Sequence, residues 1–222
     1  MALRSIAGGL RGGVAFLTRV PVGSDEADWD RFRSFPAAFP LVAYPIGAVA
    51  ALPFLSGLSA PTVAFGYLLA LVAVVGIPHF GAIVAVAVVV GGLLVGAVGL
   101  ANAPPRTAVG IVVAAEVGAK LGMATVACLA SAAHEGLGSA FTERAEPVLL
   151  LGPGLAALPA ALLVGPVRAG VAAVAAGPLV AVGLIRWAEG TLGGVNGDVF
   201  GATNELARVL GLHLGVIAWT LS

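Results

Sequence analysis

Residues 34–105 hold no Asp, Glu, Lys or Arg. A run of that length cannot fold in water without a charged surface, but it supplies three membrane spans at about 20 residues each. Composition agrees with the run. The 222-residue chain is 59% hydrophobic and only 10% charged, with mean hydropathy +1.06. Soluble domains carry about 25% charged residues, so a soluble globular enzyme is excluded. Zero net charge with no basic stripe excludes a nucleic-acid binder. High apolar content excludes disorder.

The apolar segments are continuous, as from Ile83 to Leu100, and lack the alternation of a membrane β-barrel. Helices satisfy their own backbone groups in lipid. The expected fold class is therefore all-α, a polytopic membrane helical bundle of about six or seven transmembrane helices. Spans are expected at 37–57, 62–78, 80–101, 107–132, 147–165, 169–187 and, shorter, 207–221. Pro45, Pro53, Pro153, Pro159 and Pro178 fall inside them and are expected to kink them. Much of the glycine, 32 residues, is assigned to close helix packing. The chain reads as a single membrane domain, 1–222. Its parts are a cytoplasmic amphipathic segment, 1–36, and a transmembrane bundle, 37–221.

Arg4, Arg11, Arg19, Arg31 and Arg33 precede the first span. Seven spans place Arg144, Arg186 and Arg208 on the same side, leaving Arg106 and Arg168 opposite. The positive-inside rule then sets a multi-pass protein of the cell (cytoplasmic) membrane with its N-terminus in the cytoplasm. Leu3, Ile6, Leu10, Val14 and Leu17 recur at helical spacing, as in a helix lying on the inner leaflet. Asp25, Glu26, Asp28 and Asp30 read as a solvated linker. The lone Cys128 makes no intrachain disulfide.

Three polar loops converge on the cytoplasmic side: one near Pro78-His79-Phe80, one at 134–144, one at 193–205. Glycines in the third permit tight turns and close ligand approach. Asp198 is placed as the cap of a helix running through Glu205. Asp198 and Glu205 then share a face with Asn204 beside them, a set of oxygens suited to Mg²⁺ and a phosphate. An ordinary capped interfacial helix explains the same residues. His134 is a candidate acid or base, with a solvated loop histidine as the alternative. His79 is a lone histidine, and His213 reads as structural. Glu116 and Lys120, four apart inside a span, are either functional or a mutually neutralising pair. No Walker loop or dinucleotide fingerprint is present.

Several segments together resemble the cobalamin synthases, the adenosylcobinamide-GDP ribazoletransferase family. Phe16-Leu17-Thr18-Arg19-Val20-Pro21-Val22 is similar to that family's opening. Phe39-Pro40-Leu41-Val42 with Pro45-Ile46-Gly47 is similar to its FPLVG…IG segment. His134-Glu135-Gly136-Leu137-Gly138 resembles its EGLG element. Gly194–Ala202, followed by Asn204-Glu205, resembles its G-x-x-GD-x-x-GA element.

The resemblance implies an integral membrane transferase. Adenosylcobinamide-GDP would give up its phosphoryl-corrinoid part to a ribose hydroxyl of α-ribazole or its 5′-phosphate, releasing GMP, with Mg²⁺ as cofactor. Expected catalytic residues are Asp198, Glu205, Asn204 and Glu135. Expected substrate contacts are His134, Gly136, Gly138, Gly194, Gly197, Gly201 and Arg19, and the expected metal ligands are Asp198 and Glu205. The lipid bilayer and other corrinoid-pathway enzymes are the expected partners.

One departure stands out. The family carries an aspartate-rich segment, resembling DGLADTADG, after the second span. Here that place reads Gly76-Ile77-Pro78-His79-Phe80-Gly81-Ala82, and the whole chain has four aspartates: 25, 28, 30 and 198. The family's main metal-binding constellation therefore has no counterpart. The chain is an inactivated deletion, or a sequence that lost a segment, or a noncatalytic membrane scaffold or assembly partner. Small-solute transport is a further alternative, resting on Glu116 and Lys120.

Overall fold

The computed structural model describes residues 2–76 and 83–222. Ten helices account for it: α1 (Ala2–Leu17), α2 (Glu26–Arg33), α3 (Ala38–Ala51), α4 (Ala60–Val74), α5 (Ile83–Leu100), α6 (Pro105–Leu129), α7 (Leu137–Thr142), α8 (Leu151–Leu162), α9 (Val167–Leu192) and α10 (Gly197–Thr220). Among the described residues there is no strand, only an isolated bridge between Ala132 and Val195. Among the described residues, three segments are long and apolar enough to cross a membrane: Ala38–Leu55, Pro105–Leu129 and Val167–Leu192. Large apolar side chains cover the outside, among them Phe65, Leu69, Val95, Leu151, Leu155 and Leu179. In water such a surface would aggregate; in lipid it is the expected solvent-facing layer. The helical membrane bundle is thus as the sequence reads.

Helix α6 is the central element. Every residue from Gly110 to Cys128 is buried, and α3, α9 and α10 surround it. Glycines let those neighbours approach at backbone distance. A Cβ on Gly118 would lie 2.7 Å from the Ala173 carbonyl oxygen, and one on Gly177 would fall onto the Gly118 carbonyl oxygen itself. On α10, Gly211 and Gly215 meet Ala115 and Ile111 in the same manner. Lipid tails give no hydrophobic drive between helices, so such contact supplies the packing energy. The Tyr44 hydroxyl adds a polar tie from α3. It donates to Ala156 O (2.8 Å) and accepts from Ala160 N–H (3.0 Å), inserting into the α8 ladder beside Pro159. His213, as expected, is structural: its Nε2 lies 3.1 Å from Gly92 O on α5.

Several expectations are corrected. Asp25, Glu26, Asp28 and Asp30 are no linker. Asp25 caps α2 by accepting from Asp28 N–H (2.8 Å), and Asp28 is buried, paired with Arg31 (3.0 Å) and Arg11 (3.4 Å). The face of α1 that meets α2 is Gly8, Gly9, Gly12 and Gly13, while Ile6 stays exposed. The last span is not short: α10 starts at Gly197, so most of the expected third loop is helix. The second loop likewise contains α7. Pro53 sits in a 3₁₀ turn (Leu52–Leu55) after α3, and Pro153 in the first turn of α8, where no helical hydrogen bond is lost. His79 lies outside the described residues.

An aromatic knot gathers α1, α2, α3, α7 and α10 at one end of the bundle. Phe32 contacts Phe39 (centroids 4.8 Å) and Phe141 (5.4 Å, edge-on), and Phe141 contacts Phe16 (5.4 Å) and Phe200 (5.5 Å). The α6–α9 seam yields a test. Gly177→Val forces α6 and α9 apart and costs about 1–3 kcal/mol, read as a lower thermal midpoint in detergent. Gly183→Ala on the same helix has open space around it and leaves the midpoint unchanged.

Candidate functional site

The connections after α6 and after α9 lock together beside the aromatic knot. Gly193 ends α9 in the left-handed region (φ 76°), the usual glycine stop. Val195 N–H then donates to Ser131 O (2.8 Å) and Ala133 N–H to Val195 O (3.0 Å). Gly194 fits only without a side chain, since its Cβ would lie 2.6 Å from Ala133 N. Gly138 presses the first turn of α7 onto the same strip, with a Cβ position 2.6 Å from Val195 O. Ser139 closes that turn, accepting from Gly136 N–H and donating to Gly136 O, both 3.0 Å. Gly197 faces Leu137. Gly138 and Gly194 are therefore occupied by backbone packing, while a Cβ on Gly197 would meet the Leu137 side chain and one on Gly136 only the His134 ring, at 3.8 Å. Gly201 is exposed, with nothing within 4 Å of its Cβ position.

Asn196, rather than Asp198, is the α10 cap: its Oδ1 accepts from Val199 N–H (3.1 Å). Asn and Asp are near-equal caps, and the sequence alone did not separate them. Asp198 occupies the exposed first turn, where the helix dipole favours a carboxylate. His134 and Glu135 are exposed, and His134 Nδ1 lies 2.9 Å from Glu135 O. Arg19 is at the same end of the bundle. Its N–H donates to Val74 O (2.7 Å), and its Nε lies 3.0 Å from the Cβ position of Gly76. The convergence of the second and third connections is thus present. The middle of the first, 77–82, lies outside the described residues.

Glu205 does not stand with Asp198. Seven residues of helix separate them by about 10 Å along the axis, and Glu205 is buried while Asp198 is exposed. The Glu205 carboxylate accepts from Arg208 Nη1 (2.5 Å) and from Asn204 Nδ2 (2.8 Å). Arg208 also grips Glu116 through Nε (2.6 Å) and Nη2 (3.1 Å), and Lys120 pairs with Glu116 from one turn away. Both carboxylates and both cations are at least nine-tenths buried between α6 and α10. All four carboxylate oxygens have partners, while Asn204 Oδ1 has none among the described residues. Arg208 was expected at the cytoplasmic start of the last span and is instead buried against α6. Its position three residues after Glu205, within an apolar run, was the available sign.

The sequence model of one family, cobalamin-5-phosphate synthase, matches residues 9–84 and 78–216. The chain belongs to the cobalamin-5-phosphate synthase family. Relatives named adenosylcobinamide-GDP ribazoletransferase agree. The one from Halorubrum lacusprofundi is 44% identical over 250 residues, covering 95% of this chain and 97% of the relative. That from Halobacterium salinarum is 47% identical over 194 residues, 72% of this chain and 96% of the relative. That from Haloquadratum walsbyi is 38% identical over 249 residues, 96% of this chain and 98% of the relative. No solved structure matches the chain. The family model matches in two pieces that overlap at 78–84, and the 250-residue alignment is longer than this chain. The relatives therefore carry positions that this chain lacks, and the family match breaks at 78–84, the place where the aspartate-rich segment was expected.

Removing one member of the buried cluster leaves an uncompensated charge. Arg208→Gln leaves Glu116 with Lys120 alone and Glu205 with no cation, and costs about 3–5 kcal/mol. Glu205→Gln keeps the two Arg208–Glu116 bonds and costs about 1–2 kcal/mol. Thermal midpoints of the purified variants in one detergent give the order.

Proposed function

We propose that the chain acts as an adenosylcobinamide-GDP ribazoletransferase, working at the bundle end where the α6–α7 and α9–α10 connections interlock. The observation that carries this reading is that the family-like elements at 16–22, 134–138 and 194–202 meet there around one open helix N-terminus. Its donor is adenosylcobinamide-GDP and its acceptor α-ribazole or the 5′-phosphate. As in other phosphoryl transfers, positioning and charge stabilisation dominate.

The unpaired N–H groups and positive dipole end of α10 receive a donor phosphate. Gly201, bare on that face, leaves room for it. An acceptor ribose hydroxyl attacks the phosphorus of the cobinamide phosphate. A P–O bond forms, the phosphoanhydride bond breaks, and GMP leaves. Asp198, exposed one turn from the cap, takes the hydroxyl proton. Glu135 and His134 border the same opening, and Arg19 supplies positive charge.

Mg²⁺ does not fit the side chains that are described. Among them no group of three or more His, Cys, Asp or Glu is placed to hold a metal. Glu205 and Glu116 are committed to Arg208, and Asp28 to Arg11 and Arg31. No step is therefore routed through the ion.

The arginines support a cytoplasmic site. Arg4, Arg11, Arg19, Arg31, Arg33, Arg144 and Arg186 belong to this end of a seven-pass arrangement, and Arg106 and Arg168 to the other. In a cell membrane this end faces the cytoplasm, where other corrinoid-pathway enzymes would deliver substrates.

The test is turnover by the purified chain in nanodiscs, given adenosylcobinamide-GDP, α-ribazole and Mg²⁺ buffer. Adenosylcobalamin and GMP appear together by mass spectrometry, and Asp198→Asn lowers their rate by about 10²–10⁴-fold. Absence of both products in the parent, with activity gained when the relatives' extra segment is inserted after Gly76, overturns the reading for this chain.

A further inference from the structure

We infer that the chain carries a site for one anionic glycerophospholipid, beside the α1–α2 hairpin and running down the outer face of α8. Two independent cavities carry the inference. The first, of about 370 Å³, is lined by Ser5, Ile6, Asp30, Arg31, Ser34, Phe35 and Arg144. The second, of about 440 Å³, is lined by Pro147, Leu150, Leu151, Gly154, Leu155 and Leu158.

The charge in the first cavity is positive. Asp30 is paired with Arg33, outside the lining, and Arg31 gives only Nη1 to Asp28. The Arg144 side chain is exposed and has no ion pair among the described residues. Glu143 and Glu146 flank it in sequence, are exposed, and do not line the cavity. Two guanidinium groups and the Ser5 hydroxyl suit a phosphate diester, the Ser34 hydroxyl being held by Asp30 O (3.1 Å). Ile6 and Phe35 add an apolar wall of the kind found where arginines reach up from hydrocarbon to headgroups.

The second cavity is lined by apolar residues, and its Leu151, Leu155 and Leu158 are among the most exposed side chains of the bundle. Arg144 and Pro147 are three residue steps apart, a span of at most about 11 Å. A headgroup phosphate and its hydrocarbon chain are connected over a similar distance, so one lipid can occupy both. Gly152 against Ala37 fixes the top of α8 beside the start of α3, so the groove begins at the level of the polar cavity. A soluble phosphate explains the first cavity but not the groove below it.

Native mass spectrometry of the full chain, delipidated in detergent and then given phosphatidylglycerol, phosphatidylcholine or inorganic phosphate, tests the site. The parent retains one phosphatidylglycerol in preference to phosphatidylcholine. Arg144→Gln lowers its apparent affinity about fivefold, one cationic contact at a membrane surface. Gly154→Trp, which fills the groove and leaves both arginines, lowers it too. Arg144 is exposed and nothing lies within 4 Å of a Cβ at Gly154, so the variants keep the fold, checked by an unchanged thermal midpoint. Equal retention in the parent and both variants overturns the proposal. Displacement of the lipid by millimolar inorganic phosphate, or loss in Arg144→Gln with none in Gly154→Trp, assigns the cavity to a soluble anion and overturns it as well.

Discussion

The Arg208 guanidinium, bridging Glu116 on α6 and Glu205 on α10, is the interaction on which the arrangement depends. Charges inside a membrane bundle are stable only when each has a partner, and the partners here sit on two different helices. That requirement fixes how far α10 slides along α6. Register matters because α10 begins at Gly197, directly after the strip that pairs with Ser131 and Ala133. A one-turn slip would separate the charges and pull that strip away from α7. The buried cluster and the open bundle end are thus two readings of one helix position.

Backbone-to-backbone packing supplies the rest. Gly118, Gly122 and Gly177 bring α6 and α9 so close that no side chain fits between them. Close packing makes the α6–α9–α10 core stiff, and the aromatic knot around Phe141 transmits that stiffness to the α1–α2 hairpin and α7. The connections that carry exposed polar residues are short and anchored at both ends. Such anchoring suits a site whose work is positioning rather than covalent chemistry.

The bundle was legible in the sequence because the uncharged run and the arginine clumps report directly on the lipid environment. The long apolar segments Ala38–Leu55, Pro105–Leu129 and Val167–Leu192 followed from the same signal, and so did the gathering of the second and third connections at one end. Side-chain partnership was not legible. Arg208 reads like any arginine near a span, since its partner Glu116 is 92 residues away. Asn196 and Asp198 are chemically similar caps two residues apart, and only the backbone decides between them. The acidic run at 25–30 looked solvated because the glycine face of α1 that covers Asp28 carries no apolar signal of its own. Glycines at 138 and 194 do mark close approach, but the approach is by backbone from the neighbouring connection.

The central claim, that the buried charges hold the open end together, is tested most directly by a distance. Spin labels at Glu135→Cys and Asp198→Cys, in a Cys128→Ala background, report the separation of the two connections by pulsed electron resonance. The account predicts one narrow distribution in the parent that broadens and lengthens in Arg208→Gln. A broad parent distribution, or the same narrow one after Arg208→Gln, would contradict it.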